Sequence, residues 1–391
     1  MSAPATAHAD PDLAMVAGEA SGDLLAALLL QGARSRWPGL RAHGIGGLSM
    51  QEQGFAAQWP ADRLAVHGYS LEVLRRVAGL LRIRRQLGNQ LLDQRPDVFI
   101  GVDAPDFNLG LERRLRTGGI PTVHFVCPSI WAWRPERVET IRAAADHVLC
   151  LFPFEPALLA SHGIAASFVG HPLATRIPLH TDALIARASL QLEPDAPVLA
   201  LLPGSRGKEI DYLLPRFLQA VQLLQQQMPE LQCILPAVPS QVLRVEAMLQ
   251  EQHMQGRVRL LQGHSHLALQ ACDVTLIASG TATLEAALFK KPMVISYAMH
   301  PWSYRLMRRK QLQPWVGLPN ILLREAVVPE LLQDAATPAA LAGAVLHWLR
   351  ASAVRSPEWQ QLMARFTSLH ESLQADTSTL AANAIESVLL R

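Results

Sequence analysis

Asp103 is the residue best placed by type and position to move a proton. It closes the apolar run of Pro96-Asp97-Val98-Phe99-Ile100-Gly101-Val102-Asp103-Ala104-Pro105-Asp106-Phe107-Asn108. A carboxylate at the end of a buried strand, facing a ligand cleft, can take a proton from an attacking hydroxyl. Asp106 is the second candidate in the same loop. The structural alternative is that Asp103 caps the turn and Asp106 opens the next helix. Two acids in one loop raise the question of a metal, but with no DxD pair in that loop and no adjoining third carboxylate none is expected.

Three small-residue loops could bind an anion. Gly18-Glu19-Ala20-Ser21-Gly22-Asp23 follows the apolar run Leu13–Ala17 and opens an Ala/Leu-rich segment, so its backbone amides would stand at a helix N-terminus. An ordinary strand-to-helix turn, with Ser21 or Asp23 as the cap, is the alternative. Leu202-Pro203-Gly204-Ser205-Arg206-Gly207 couples a pliable backbone to a guanidinium that can make two hydrogen bonds to phosphate or uracil oxygens. Ala278-Ser279-Gly280-Thr281-Ala282-Thr283-Leu284-Glu285 adds hydroxyls and the positive end of a helix, with Glu285 one turn further in, where it could accept ribose hydroxyls. Its alternative is a capping arrangement between Thr281 and Glu285, although these are four apart rather than three.

Two segments pair arginine with apolar or aromatic residues. One spans residues 71–92 and contains Arg75, Arg76, Arg82, Arg84 and Arg85; the other spans 300–315 and contains Trp302, Arg305, Arg308, Arg309 and Lys310. Such faces suit an anionic interface or an anionic acylated ligand, although an amphipathic helix with a solvated basic face has the same pattern. Trp131 and Trp133, in Pro128-Ser129-Ile130-Trp131-Ala132-Trp133-Arg134, are expensive to expose; they either line a pocket or close a core. His171 reads as a structural histidine.

The elements that position these residues follow from periodicity. Strand-like runs at 13–17, 98–102, 122–126 and 148–151 alternate with helical patterns, and after a polar, proline-marked stretch the alternation restarts with runs at 198–202, 233–235, 258–261, 274–277 and 293–296. The expected fold class is α/β: two Rossmann-like, doubly wound domains facing a cleft, with the candidate loops beyond the carboxyl ends of the strands. The expected division is 1–12 as an extension, 13–180 and 181–365 as the two domains, and 366–391 as a helical segment that could return to the first. At 391 residues two domains are the natural count. A net charge of +2 gives no global argument for nucleic acid. Cys127, Cys150, Cys233 and Cys272 lack metal-ligand spacing and read as buried thiols of a reducing compartment. With no signal-like or membrane-spanning segment, the expected location is cytoplasmic.

In chain order, VAGEASGD, DVFIGVDAPDFN, SIWAWR, FVGHP, LLPGSRGKE, ASGTATLE, KKPMVISY and GLPN resemble the lipid-A-disaccharide synthase family of bacterial glycosyltransferases, over about residues 13 to 335. The resemblance implies a GT-B fold and an inverting, metal-independent reaction without a cofactor. The implied donor is UDP-diacylglucosamine and the implied acceptor diacylglucosamine 1-phosphate, giving a β(1→6) disaccharide 1-phosphate and UDP. Asp103 would be the base. Gly204, Ser205, Arg206, Ser279, Gly280, Thr281, Glu285 and Asn320 would hold the UDP, and Gly18, Glu19, Ser21, Gly22 and Asp23 the acceptor and sugar. Arg75, Arg76, Arg82, Trp302, Arg308 and Arg309 would meet lipid, placing a peripheral enzyme on the cytoplasmic leaflet of the inner membrane. Homo-oligomerisation is compatible with the sequence and not specified by it. The alternatives are another UDP-sugar enzyme of this fold, such as a non-hydrolysing epimerase, and a non-catalytic lipid-binding protein.

Overall fold

Val98–Val102 and Val198–Leu202 are apolar at nearly every position, and both form strands buried along their whole length. Strands of that kind belong to parallel sheets covered by helices on both faces. The computed structural model describes residues 10–60, 71–132 and 134–390. The chain divides into two compact units, residues 1–172 with 373–391, and residues 173–372.

The first unit holds β1 (Asp12–Ala17), α1 (Ala20–Arg36), β2 (Arg41–Gly46), α2 (Leu48–Glu52), β3 (Ala56–Pro60), α3 (Leu71–Gln94), β4 (Val98–Val102) and α4 (Pro105–Thr117). It continues through β5 (Thr122–Phe125), α5 (Arg137–Ala144), β6 (His147–Cys150), α6 (Glu155–Ala160) and β7 (Ala166–Phe168). The strands form one parallel sheet in the order β3-β2-β1-β4-β5-β6-β7. Side chains of β1 alternate between two cores. Leu13, Met15 and Ala17 pack with residues of α1 and the C-terminal helix, and Ala14 and Val16 with Leu87, Leu91, Leu111 and Leu115 of α3 and α4.

The second unit runs from α7 (Pro172–Arg176) and α8 (Ala183–Ser189) through β8 (Val198–Leu202), α9 (Gly207–Gln227), β9 (Gln232–Ala237), α10 (Val242–Glu251), β10 (Val258–Gln262) and α11 (Ser265–Ala271). Next come β11 (Val274–Ala278), α12 (Thr281–Leu288), β12 (Met293–Tyr297), α13 (Pro301–Lys310), α14 (Leu318–Leu323), β13 (Glu330–Leu332), α15 (Pro338–Ala353) and α16 (Pro357–Leu373). Its sheet is also parallel, in the order β10-β9-β8-β11-β12-β13. The last helix, α17 (Thr377–Leu389), belongs to the first unit, where it packs on α1. Gly32 permits that approach, since a Cβ there would stand 2.0 Å from the Ser378 carbonyl oxygen, and the Arg36–Glu386 ion pair at 2.7 Å fixes the register.

Both sheets reverse their strand order once. In the first unit the chain builds outward from β1 to β3, then restarts beside β1 with β4; in the second it restarts beside β8 with β11. At such a switch point two neighbouring strands send their following loops to opposite sides, which opens a crevice for a ligand.

Candidate active site

The switch points bring the predicted loops together in pairs. In the first unit Ala17 is the register partner of Val102, so Gly18–Asp23 and Asp103–Asn108 leave the sheet side by side. In the second, Leu202 pairs with Ile277, which places Pro203–Arg206 beside Ser279–Thr281.

Asp103 and Ala104 both have left-handed backbones, with φ of 52° and 43°. Neither is glycine, so the surroundings must enforce the conformation. The Asp103 N–H donates to the Phe125 carbonyl at 2.8 Å, and the buried Asn108 amide donates to the Asp103 carbonyl at 2.8 Å. The Asp103 carboxylate, half-buried, makes no hydrogen bond or ion pair among the described residues. Asp106 differs: it is exposed, and Arg137 lies 2.5 Å from its Oδ1 with Arg134 at 3.9 Å. Of the two acids, Asp103 is the one left uncommitted.

In the neighbouring loop Glu19 is the N-cap of α1, and no side chain caps that helix. Gly18 and Gly22 are buried and Glu19 and Ser21 exposed. Asp23 departs from the expectation of a ligand-binding group. It is buried, and its carboxylate accepts from the N–H groups of Gly47, Ser49 and Met50 at 2.8, 2.9 and 3.2 Å. It therefore caps α2, a helix whose sequence contact with Asp23 lies about two dozen residues away.

In the second unit Gly204 takes φ of 113°, a backbone region suited to glycine, and a Cβ there would fall 2.5 Å from Glu209 Oε2. Glu209 organises the loop by accepting from the N–H groups of Ser205 and Arg206 at 3.2 and 3.3 Å and pairing with the Arg206 guanidinium at 3.0 Å. Arg206 remains largely exposed, so the pair leaves its other nitrogens open to an anion. The sequence reading missed Glu209. The only hint was the three-residue spacing of Arg206 and Glu209, since arginine has no acceptor to complete a capping box. At the end of β12, burial and the Glu209 charge push the Tyr297 phenol above its ordinary range, with the Arg206 charge acting in the opposite direction.

Gly280, with open space around it, is the N-cap of α12, and no side chain caps this helix either. The capping reading for Thr281 and Glu285 is thus not what forms. Thr281 is exposed, the Ser279 hydroxyl donates to the Val316 carbonyl at 2.7 Å, and Glu285 lies 3.5 Å from His266 Nε2. An uncapped helix start with exposed small residues is suited to phosphate.

Asn320, expected to assist near a nucleotide, is fully engaged within its own unit. It has no exposed surface, and its amide is used up within the unit: Nδ2 donates to the Val328 carbonyl and Glu330, and Oδ1 accepts from Val327 and Val328. Glu330 also accepts from the N–H groups of Val316 and Gly317 at 2.8 and 2.9 Å. Together they brace the loop whose Val316 carbonyl holds Ser279. Glu330 lies in a three-residue strand that the sequence reading did not find.

Trp131 closes a core. It is buried, its indole donates to Glu155 at 3.0 Å, and it meets Phe152 and Phe154 edge-on. Trp133 lies outside the described residues, as do the side chains of Arg75 and Arg76. His171, buried beside the Phe152 ring, fits its structural reading. Arg82 is exposed on α3. On α13, Trp302 and Leu306 are 73% and 61% exposed, Arg305 lies over the Trp302 ring, and Arg308 and Arg309 are exposed, so the helix shows both aromatic and basic groups outward. No helix among the described residues is long and apolar enough to cross a membrane.

A family model described as "Lipid-A-disaccharide synthetase" matches residues 13–385. The chain is similar to a lipid-A-disaccharide synthase of Verminephrobacter eiseniae, 61% identical over 96% of this chain and 97% of that one. It is 59% identical to the enzyme of the same name from Albidiferax ferrireducens, over the same shares. Among solved structures, a UDP-GlcNAc 2-epimerase from Neisseria meningitidis bound to UDP-GlcNAc superimposes with a TM-score of 0.60 at 12% identity, covering 97% of this chain and 99% of that one. A putative UDP-N-acetylglucosamine 2-epimerase from Listeria monocytogenes gives 0.61 at 12% identity, covering 97% and 96%. At such identities the likeness is one of fold.

Proposed function

Because the chain belongs to the lipid-A-disaccharide synthetase family, and so is a glycosyltransferase of lipid A biosynthesis, we propose that it joins UDP-diacylglucosamine to diacylglucosamine 1-phosphate. The observation that carries the reading is the pairing of loops at both switch points: an uncommitted carboxylate on one unit, and an arginine with an uncapped helix start on the other. The acceptor's primary hydroxyl attacks the anomeric carbon on the face opposite the diphosphate. The new C–O bond forms as the bond to the diphosphate breaks, the bonding pair leaves with UDP, and the hydroxyl proton passes to Asp103. Arg206 and the amides of Gly280 and Thr281 meet the growing charge on the leaving group without a metal, while Ser279, its N–H given to the Ser296 carbonyl and its hydroxyl to Val316, holds that turn in place. Gly204 and Ser205 shape the loop that presents Arg206, and Glu285 accepts from ribose.

Gly18, Glu19, Ser21 and Gly22 face the acceptor and the sugar in transfer. Asp23 supports them by seating α2, and Asn320 supports the nucleotide loop. Arg82, with Arg75 and Arg76, and Trp302 with Arg308 and Arg309 meet the anionic leaflet that carries both substrates, which makes this a peripheral enzyme on the cytoplasmic face of the inner membrane. The test is UDP release from the purified protein in mixed micelles. Release that requires both lipids and persists in EDTA supports the reading; a strict need for added divalent metal contradicts it.

A further inference from the structure

Asp103 has an unusual support. Its carboxylate is held by no other described side chain or backbone group, so its direction is set by its own backbone, which is left-handed there and at Ala104. Whatever fixes that backbone aims the carboxylate. Asn108, one turn into α4, has no exposed surface. Its Nδ2 lies 2.8 Å from the Asp103 carbonyl, 3.3 Å from that of Val102 and 3.5 Å from that of Val16. One amide thus reaches the ends of both strands of the switch point, and its backbone N–H closes the turn onto the Ala104 carbonyl at 3.0 Å.

A second layer lies behind it. Glu112, one further turn along α4, meets His124 of β5 through Oε1 and Nδ1 at 2.7 Å, and neither residue has exposed surface. Gly101 is the bare strand position that admits this layer. A Cβ there would stand 2.1 Å from Glu112 Oε1 and 2.9 Å from Asn108 Cβ. The arrangement is costly, because burial raises the Glu112 carboxyl, and Asn108 Oδ1, Glu112 Oε2 and His124 Nε2 are buried without hydrogen-bond partners. An apolar helix face would be the cheaper way to cover β4 and β5. Polar groups kept at that cost directly beneath an unheld carboxylate argue for placement rather than stability.

We propose that Asn108 is the positioning residue of Asp103, with the Glu112–His124 pair fixing the turn of α4 that carries it. The inference rests on the reading of Asp103 as the base. Displacing a reacting group by about 1 Å costs on the order of 100-fold in rate, so Asn108→Ala is expected to lower kcat by roughly that factor while both KM values stay within about threefold. A residue that acts through Asp103 has nothing left to act on once that carboxylate is gone. In an Asp103→Asn background, Asn108→Ala should therefore lower the residual rate less than about threefold, a non-additive cycle.

Thermal unfolding followed by circular dichroism reports whether each variant is folded, and UDP affinity, which draws on the other unit, should equal that of wild type throughout. If Asn108→Ala does not fold, Glu112→Gln, which keeps the side chain's shape, carries the same cycle under the same criteria. Equal losses in both backgrounds would overturn the positioning role and leave the base intact. An unchanged kcat in the single variant would do the same. Near wild-type turnover in Asp103→Asn alone would overturn the base and the positioning role together.

Discussion

Asp23→Ala separates a structural carboxylate from a ligand-binding one. The side chain is 7% exposed and accepts three N–H groups from the first turn of α2. A cap making one such bond contributes about 1 kcal/mol, so removing three from a largely buried site should cost about 3 kcal/mol. In a unit of this size each kcal/mol moves the midpoint by about 2–4 °C, which gives a fall of roughly 6–12 °C. Asp23→Asn keeps one oxygen and should lose about half as much. Thermal unfolding followed by circular dichroism reads the shift, and hydrogen exchange over residues 44–52 locates it. Turnover measured well below the new midpoint should stay within about threefold of wild type, because the lost interactions are made equally in ground and transition states. A midpoint within about 2 °C of wild type combined with collapsed turnover would refute the capping account and return Asp23 to the ligand.

Three other outcomes follow from single features. Burial pushes Glu155 from 4.5 up to about 7, so the folded state holds a proton that the unfolded state has already released. That contribution is complete below about 4.5 and lost as pH rises to about 7, which makes wild type lose about 3 kcal/mol across the window relative to Glu155→Gln in urea unfolding. Equal pH dependence in the two proteins would show that the group is not shifted. Gly204→Ala forces a strained φ and drives a methyl into Glu209, so UDP affinity should fall at least about tenfold on calorimetry with the unit still folded; unchanged affinity would remove that loop from the nucleotide site. Replacing Trp302 and Leu306 with serine should weaken sedimentation with anionic vesicles while leaving UDP affinity unchanged, and undiminished vesicle binding would take α13 off the membrane.

The strands that carry chemistry were legible because each is an uninterrupted buried run that ends in a marked loop. Val98–Val102 and Val198–Leu202 match the expected bounds to the residue. Four strands escaped. Arg41–Gly46 and Ala56–Pro60 mix glycine, histidine, glutamine and proline with few β-branched residues, and the edge strands at 166–168 and 330–332 are three residues long, too short to show a period. The site was legible as loops and opaque as bonding. Motif spacing brings Gly18 and Asp103 to notice, but their adjacency depends on the order in which strands pair. For Asp23 and Asn320 the sequence shows a polar residue within a motif but not its partners, at Gly47 and Val328, which give each a bracing role. Glu209, Glu330 and Glu112 were overlooked for the converse reason, since each acts on a loop or helix that supplies the more visible residue.

The central claim is that the uncommitted carboxylate at the β1–β4 switch point removes the acceptor's proton. The most direct measurement is turnover and UDP affinity of Asp103→Asn, with both lipid substrates in mixed micelles containing EDTA. The account predicts UDP affinity equal to wild type and turnover lower by two or more orders of magnitude, roughly the scale for losing a general base. Turnover near that of wild type would contradict it and move the search for the base to Asp106.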